Sequence, residues 1–212
     1  MRQNVSLAEI SDGHLYKAND MVKADCGGCE GCSQCCRGMG SSIILDPYDV
    51  YRLTTGIGKS MQELLATSVE LNVVDGVILP NLKMQGTGEA CAYLDAAGRC
   101  SIHPYRPGIC RLFPLGRHYE NGGLFYFLQT GECAKENRSK VKVSKWIDTP
   151  ELKRNEQFKL QWHDLLSAMT DRVAGEDEGK QREENLLLLR LFYLLPYEGT
   201  TDFYSQFTER ME

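Results

Sequence analysis

A chain of 212 residues with 42% hydrophobic and 25% charged content can bury one sizeable core and has the balance of an ordinary globular protein. Its net charge of -5 argues against a dedicated nucleic-acid binder, which would carry a basic face, and no apolar run reaches the roughly 20 residues of a membrane-spanning helix. The first residues hold no apolar leader, so the cytoplasm is the expected compartment, and in that reducing setting the nine cysteines read as ligands or redox groups rather than structural disulfides.

Residues 1–25 carry scattered apolar positions (Leu7, Ile10, Leu15, Met21, Val22) without a clean period, and read as an irregular or partly helical lead-in beside the loop that follows. That loop, Cys26-Gly-Gly-Cys29-Glu-Gly-Cys32-Ser-Gln-Cys35-Cys36, puts five cysteines within eleven residues, four of them at three-residue spacing. Thiolates this close repel one another unless a cation or protons sit among them. Gly27, Gly28 and Gly31 permit the positive-φ turns that aim successive sulfurs at one centre. A C-x2-C-x2-C run is the spacing of cluster-binding ferredoxin loops, and C-x2-C is also half of many zinc sites.

Past a Gly38-Met-Gly40 break, residues 41–45 suggest a short strand. Asp46-Pro47 predicts a helix start, with Asp as N-cap and Pro at the first position, and the helix over 48–55 should stop at Gly56. Ser60-Met-Gln-Glu63 is a capping box opening the next helix. The intervening Gly56-Ile-Gly-Lys-Ser60 resembles the tail of a phosphate loop. The full pattern needs a glycine at Leu53 and a strand in front, so a helix–turn–helix connection is the better reading. Hairpins follow: one about Asp75-Gly76, one pairing residues 90–94 with 99–102 about residues 95–98, and one about Asn121-Gly122. Asp148-Thr-Pro150-Glu151 opens a helix whose Phe158, Trp162, Leu165, Leu166, Met169 and Val173 share one face. An acidic loop, 175–179, leads to a final helix over 183–195 that is apolar nearly all round and reads as core before partner surface.

Cys91, Cys100, Cys110 and Cys133 fall in the hairpin region, each expected at a strand end or tight turn, with Cys91 and Cys100 on the two strands of one hairpin. Arg106 and Arg111 flank Cys110; a guanidinium favours thiolate and can donate to sulfur, although both arginines serve equally well as structural braces. His103 and His118 are further candidate ligands, His103 being more at home packing before Pro104.

In order, Cys29-x2-Cys32-x2-Cys35-Cys36, Cys91, Gly98-Arg-Cys100-x-Ile-His103, Arg106-Pro107-x2-Cys110-Arg111-x-Phe-Pro114 and Cys133 resemble the CxxCxxCC cysteine-cluster family (YkgJ-like). The resemblance covers roughly half the chain, and Cys26 stands ahead of its pattern. It implies a zinc- or iron-chelating domain, distantly related to flagellin lysine N-methylase, although no glycine-rich strand–turn–helix for a methyl donor is evident here. The expected architecture is α+β, with a small antiparallel hairpin-rich sheet, a Cys-rich loop, packed helices and a C-terminal helical hairpin. Residues 1–140 would form the metal-binding domain and 141–212 a helical region packed on it. The candidate metal ligands are Cys26, Cys29, Cys32, Cys35, Cys36, Cys91, Cys100, Cys110 and Cys133, with Arg106 and Arg111 beside the cofactor. The C-x2-C-x2-C run favours a four-iron iron–sulfur cluster over zinc, because zinc sites more often pair two distant knuckles. The expected partners are that metal ion or cluster and a protein partner or substrate, with no nucleic acid and no membrane.

Overall fold

Two reciprocal caps start the helical part of the fold. The computed structural model describes residues 6–27, 32–135 and 137–212. In it the Asp46 side chain accepts from the Asp49 N–H and Asp49 accepts in return from the Asp46 N–H, opening helix α2 (Pro47–Ile57); Ser60 and Glu63 do the same for α3 (Met61–Thr67). Both caps agree with the sequence reading. Helix α2 runs past Gly56 to a left-handed cap at Gly58. Gly56 is instead a packing glycine, where an added Cβ would lie 2.2 Å from the Tyr105 ring. A helix, not a strand, therefore precedes Lys59-Ser60, which removes the phosphate-loop reading.

The protein is α+β. Its strands pair as four two-stranded antiparallel ladders among the described residues. Strand β1 (Met21–Asp25) pairs with β8 (Ser139–Lys142), so the lead-in, which also holds a single helical turn, α1 (Leu7–Ile10), ends on a distant part of the chain. The hairpin of β2 (Val69–Val74) and β3 (Val77–Leu82) turns at Asp75-Gly76, and that of β6 (Leu115–Glu120) and β7 (Gly123–Leu128) at Asn121-Gly122, both as expected. Residues 41–45 contribute one bridge, Ile44 to Asn81, rather than a strand. The expected hairpin over 90–102 is not formed as such. Cys91 lies in β5 (Ala90–Cys91), which pairs with β4 (Met84–Gln85), and only a single Leu94–Cys100 bridge closes the turn at residues 95–98. Five residues cannot pair continuously across that turn, because the Cys91 carbonyl is already taken by the Leu94 N–H at 2.9 Å.

After a short helix α5 (Val143–Ile147), α6 (Leu152–Val173) lays Phe158, Trp162, Met169 and Val173 into the larger of two hydrophobic clusters. Helix α7 (Glu178–Leu189) starts five residues earlier than expected and passes into a π-helical turn, Arg190–Leu194. Its apolar residues divide. Leu188, Leu189, Phe192 and Tyr193 are buried, whereas Leu186 and Leu187 are each 53% exposed. Asn185 ties α7 to the β2–β3 turn, accepting from the Ile78 N–H at 2.6 Å and donating to the Gly76 carbonyl at 3.1 Å. A last helix, α8 (Phe203–Met211), sets Phe203 and Phe207 edge-on to Phe158, with centroids 5.1 and 4.8 Å away. The larger cluster draws on residues 43–102 and 158–207 together. The smaller one joins Val22 and Ala24 to Leu112, Leu115, Tyr126, Leu128, Val143 and Ile147. No helix of the described residues is long and apolar enough to cross a membrane.

Candidate metal centre

Three short segments carry the cysteines that meet. The first is a single 3-10 turn over Gln34–Cys36, and the chain beyond it is laid against β5 by the Arg37–Ala90 bridge and the Gly38 N–H donating to the Glu89 carbonyl at 2.9 Å. This sets Cys36 beside Cys91. The second runs from Cys91 to Cys100 and is tied to the end of α3 by a 2.7 Å hydrogen bond between Tyr93 and Ser68. Its turn touches the first segment, since a Cβ on Gly98 would lie 3.9 Å from the Ser33 hydroxyl.

The third segment is α4 (Gly108–Leu112), a one-turn helix carrying Cys110. Cys110 therefore sits on a helix and not at the strand end or tight turn expected, because Pro107 and Gly108 start a helical turn at once. Both ends of α4 are fixed. The buried Asp49 carboxylate accepts from the Gly108 N–H at 2.7 Å, and the Trp146 indole N–H donates to the Leu112 carbonyl at 3.1 Å. An added Cβ at Gly108 would lie 3.2 Å from an Arg117 nitrogen and 3.4 Å from the Asp49 carboxylate and Lys159 Nζ, so a larger residue fits there only if the Arg117 side chain gives way.

The thiols sense one another. The Cys36 S–H donates to Cys35 and holds it down to about 7, helped by the charge of Arg106 against the opposing effect of burial. Cys36 is pushed up by that same bond, by burial and by the charges of Cys35, Cys110 and Cys91. Burial raises Cys91, Cys100 and Cys110, and each is raised further by its neighbouring thiolates. The structure thus brings Cys35, Cys36, Cys91, Cys100 and Cys110 together. Cys26, Cys32 and Cys133 occupy half-buried loop positions, and Cys29 lies outside the described residues. Among the described residues no three Cys, His, Asp or Glu side chains surround one point at metal-ligand distance. The thiols are gathered but not closed into a coordination shell. The donor set nonetheless suits a soft cation: five half-buried thiols whose ionised forms burden one another lose that burden when a metal is shared among them.

The two flanking arginines separate into different roles. Arg106 acts on Cys35 and Cys100, and its guanidinium bonds the His103 ring nitrogen at 2.8 Å. Arg111, 9% exposed, grips the Pro104 carbonyl and donates to the Asp148 carbonyl at 3.0 Å, bracing the turn that leads into α4. Sequence reasoning missed the support beneath Cys110, namely Asp49 and Lys159. Burial pushes Asp49 up to about 6 against the pull of the Gly108 N–H and Arg117. Lys159 is 4% exposed and ion-paired with Asp46. The available signal for Lys159 was its position on the same helical face as Asn155 and Trp162.

A cavity of about 10 Å³, lined by Arg52, Arg106, Arg111, Asp49, Asn155 and Lys159 among others, adjoins this support. A larger cleft, about 530 Å³, opens between α6 and α8 and is lined by no cysteine.

A family model described as "CxxCxxCC: Putative zinc- or iron-chelating domain" matches residues 28–140, more than half the chain. No curated protein and no solved structure matches it.

Proposed function

The chain belongs to the CxxCxxCC family, and from that premise we propose that its cysteines hold an iron–sulfur cluster of the four-iron type in the reducing cytoplasm. The observation that carries this reading is the meeting of Cys35, Cys36, Cys91, Cys100 and Cys110 from three separate segments. The ligands are drawn from the nine cysteines, with these five as the inner set and Cys26, Cys29, Cys32 and Cys133 as the further candidates. Cys35, the thiol held lowest by its neighbour, serves as a ligand, and Cys36 is placed to donate its S–H to that sulfur. A cluster bound there would supply one-electron redox chemistry and a cross-link among the segments. The protein's own contribution is to fix Cys110 through Asp49, to exclude water by burial, and to set the Arg106 charge beside Cys35 and Cys100.

A methylase-like activity would require room beside Arg106 and Arg111 for a lysine and a methyl donor. The cavity of about 10 Å³ admits one water-sized atom, and this reading gains no support from it. Metal analysis with an absorption spectrum, on protein purified without oxygen, is the direct test. Iron with acid-labile sulfide and a brown colour are expected. Stoichiometric zinc in colourless protein would replace the cluster by a structural zinc site, and nine metal-free thiols would end the chelation reading for this chain.

Arg106 provides a graded check. Replacing it by Gln removes the cation facing Cys35 and Cys100 while keeping a donor. A charge-assisted interaction of this kind contributes about 1.5 kcal/mol, so R106Q should lose metal to a competing chelator at roughly one-tenth the concentration that strips the parent. An unchanged competition curve would reduce Arg106 to a partner of His103.

A further inference from the structure

The cavity beside α4 is electrostatically unbalanced. Four cations line it, Arg52, Arg106, Arg111 and Lys159, against one carboxylate, Asp49. Lys159 is neutralised by Asp46. Asp49 is committed to the Gly108 and Asp46 N–H groups. The remaining guanidiniums share neutral acceptors. Arg52 and Arg111 both donate to the Pro104 carbonyl, Arg111 also to the Asp148 carbonyl, and Arg106 bonds the His103 ring. The Asp148 carboxylate lies 3.8 Å from Arg111, with its side chain 87% exposed. Arg111 is accordingly pulled below its ordinary range by burial and then by the charges of Arg52 and Arg106.

One hydrogen-bond donor on this wall is buried and unused: Arg106 Nε has no acceptor. The Asn155 amide, on a residue 5% exposed, faces the Tyr204 hydroxyl. A buried donor without an acceptor marks a place where a partner is absent, and this one belongs to a residue that lines a cavity whose charge is already positive. We infer that the Arg52–Arg106–Arg111 cavity is a binding site for a small oxyanion, a carboxylate or phosphate group that seats one oxygen on Arg106 Nε. The volume of about 10 Å³ admits a single oxygen, and the rest of the group meets the forked guanidiniums at the mouth, where Arg52 is half-exposed. The inference does not depend on the metal. Because Arg106 belongs to both sites, an anion held there would compete with the thiolates for its charge.

The test is calorimetric titration of the full chain, metal-loaded and metal-free, with inorganic phosphate and separately with acetate, in a buffer lacking both. One saturable site per chain and a rise in melting temperature are expected with at least one of them. Phosphate alone would identify a phosphoryl ligand, and acetate binding as well would identify a carboxylate. R52Q should weaken binding about tenfold, and R52K, which keeps the charge but not the fork, by less. The absence of saturable binding by either anion would overturn the assignment, as would unchanged affinity in R52Q with its far-UV circular dichroism intact. Metal analysis is independent of both outcomes, so the failure of one reading leaves the other measurable.

Discussion

Removal of the bound metal should lower the melting temperature by about 10–20 °C and release residues 32–37 and 90–111 to rapid hydrogen exchange, while α6 and α8 keep their protection. The expectation follows from how little else holds those residues. Strands β4 and β5 are two residues each, the Leu94–Cys100 contact is a single bridge, and α4 is one turn long. Such elements cannot offset the entropy of ordering their own backbone, roughly 1–2 kcal/mol per residue. Cysteine chelation in zinc-finger peptides contributes about 10–16 kcal/mol. If only about 5 kcal/mol of such a term falls on this fold, the shift above results for a chain of this size. The helices differ because Phe158, Phe203 and Phe207 pack on one another within the larger cluster. Differential scanning calorimetry and exchange mass spectrometry, before and after anaerobic chelation, measure both halves. Equal melting and equal protection of residues 90–111 would mean that the cysteine segments fold without help.

Replacement of Lys159 by Met should cost about 3–5 kcal/mol. The methionine keeps the length and most of the packing of the buried stem but leaves the Asp46 carboxylate, whose side chain is 13% exposed, without its counter-charge. Asp46 also caps α2, and through Asp49 the same cap holds the first N–H of α4. The loss should therefore reach Cys110 and appear as weaker metal retention as well as lower stability. The companion variant D46N/K159M removes both charges and keeps a good capping residue, so it should recover most of the loss. Urea unfolding of the parent, both single variants and the double variant gives the coupling energy. A K159M loss below about 1 kcal/mol would show that the pair is solvated and holds nothing in place.

Local chemistry made several elements legible in the sequence. Asp46 and Ser60 declare helix starts because a capping side chain acts within three residues, and Asp75-Gly76 and Asn121-Gly122 declare hairpins because the turn itself needs positive φ. The cysteine spacing was less telling: among the described cysteines of the C-x2-C run Cys35 joins Cys36, Cys91, Cys100 and Cys110, while Cys26 and Cys32 occupy half-buried loop positions apart from them. What escaped depends on distant partners. The pairing of β1 with β8 joins residues more than a hundred positions apart, and nothing in Met21–Asp25 specifies that register. Lys159 was missed for the opposite reason: lysine is surface by default, and only the arrival of Asp46 from α2 makes its burial tolerable. Helix α8 carried a readable signal, Asp202 capping its first turn through the Ser205 N–H with Phe203 and Phe207 one turn apart, in a stretch too short for periodicity to stand out.

The β1–β8 ladder also fixes where the chain enters and leaves its cysteine-bearing part. All nine cysteines fall between Asp25 and Ser139, residues paired with each other across the two strands. The entry at Met21 and the exit at Lys142 are likewise neighbours, separated by a strand-pair spacing of about 5 Å. The cysteine-bearing part is thus a loop closed at its base, while its core is completed from outside by α6, α7 and α8 and by Lys159 on Asp46.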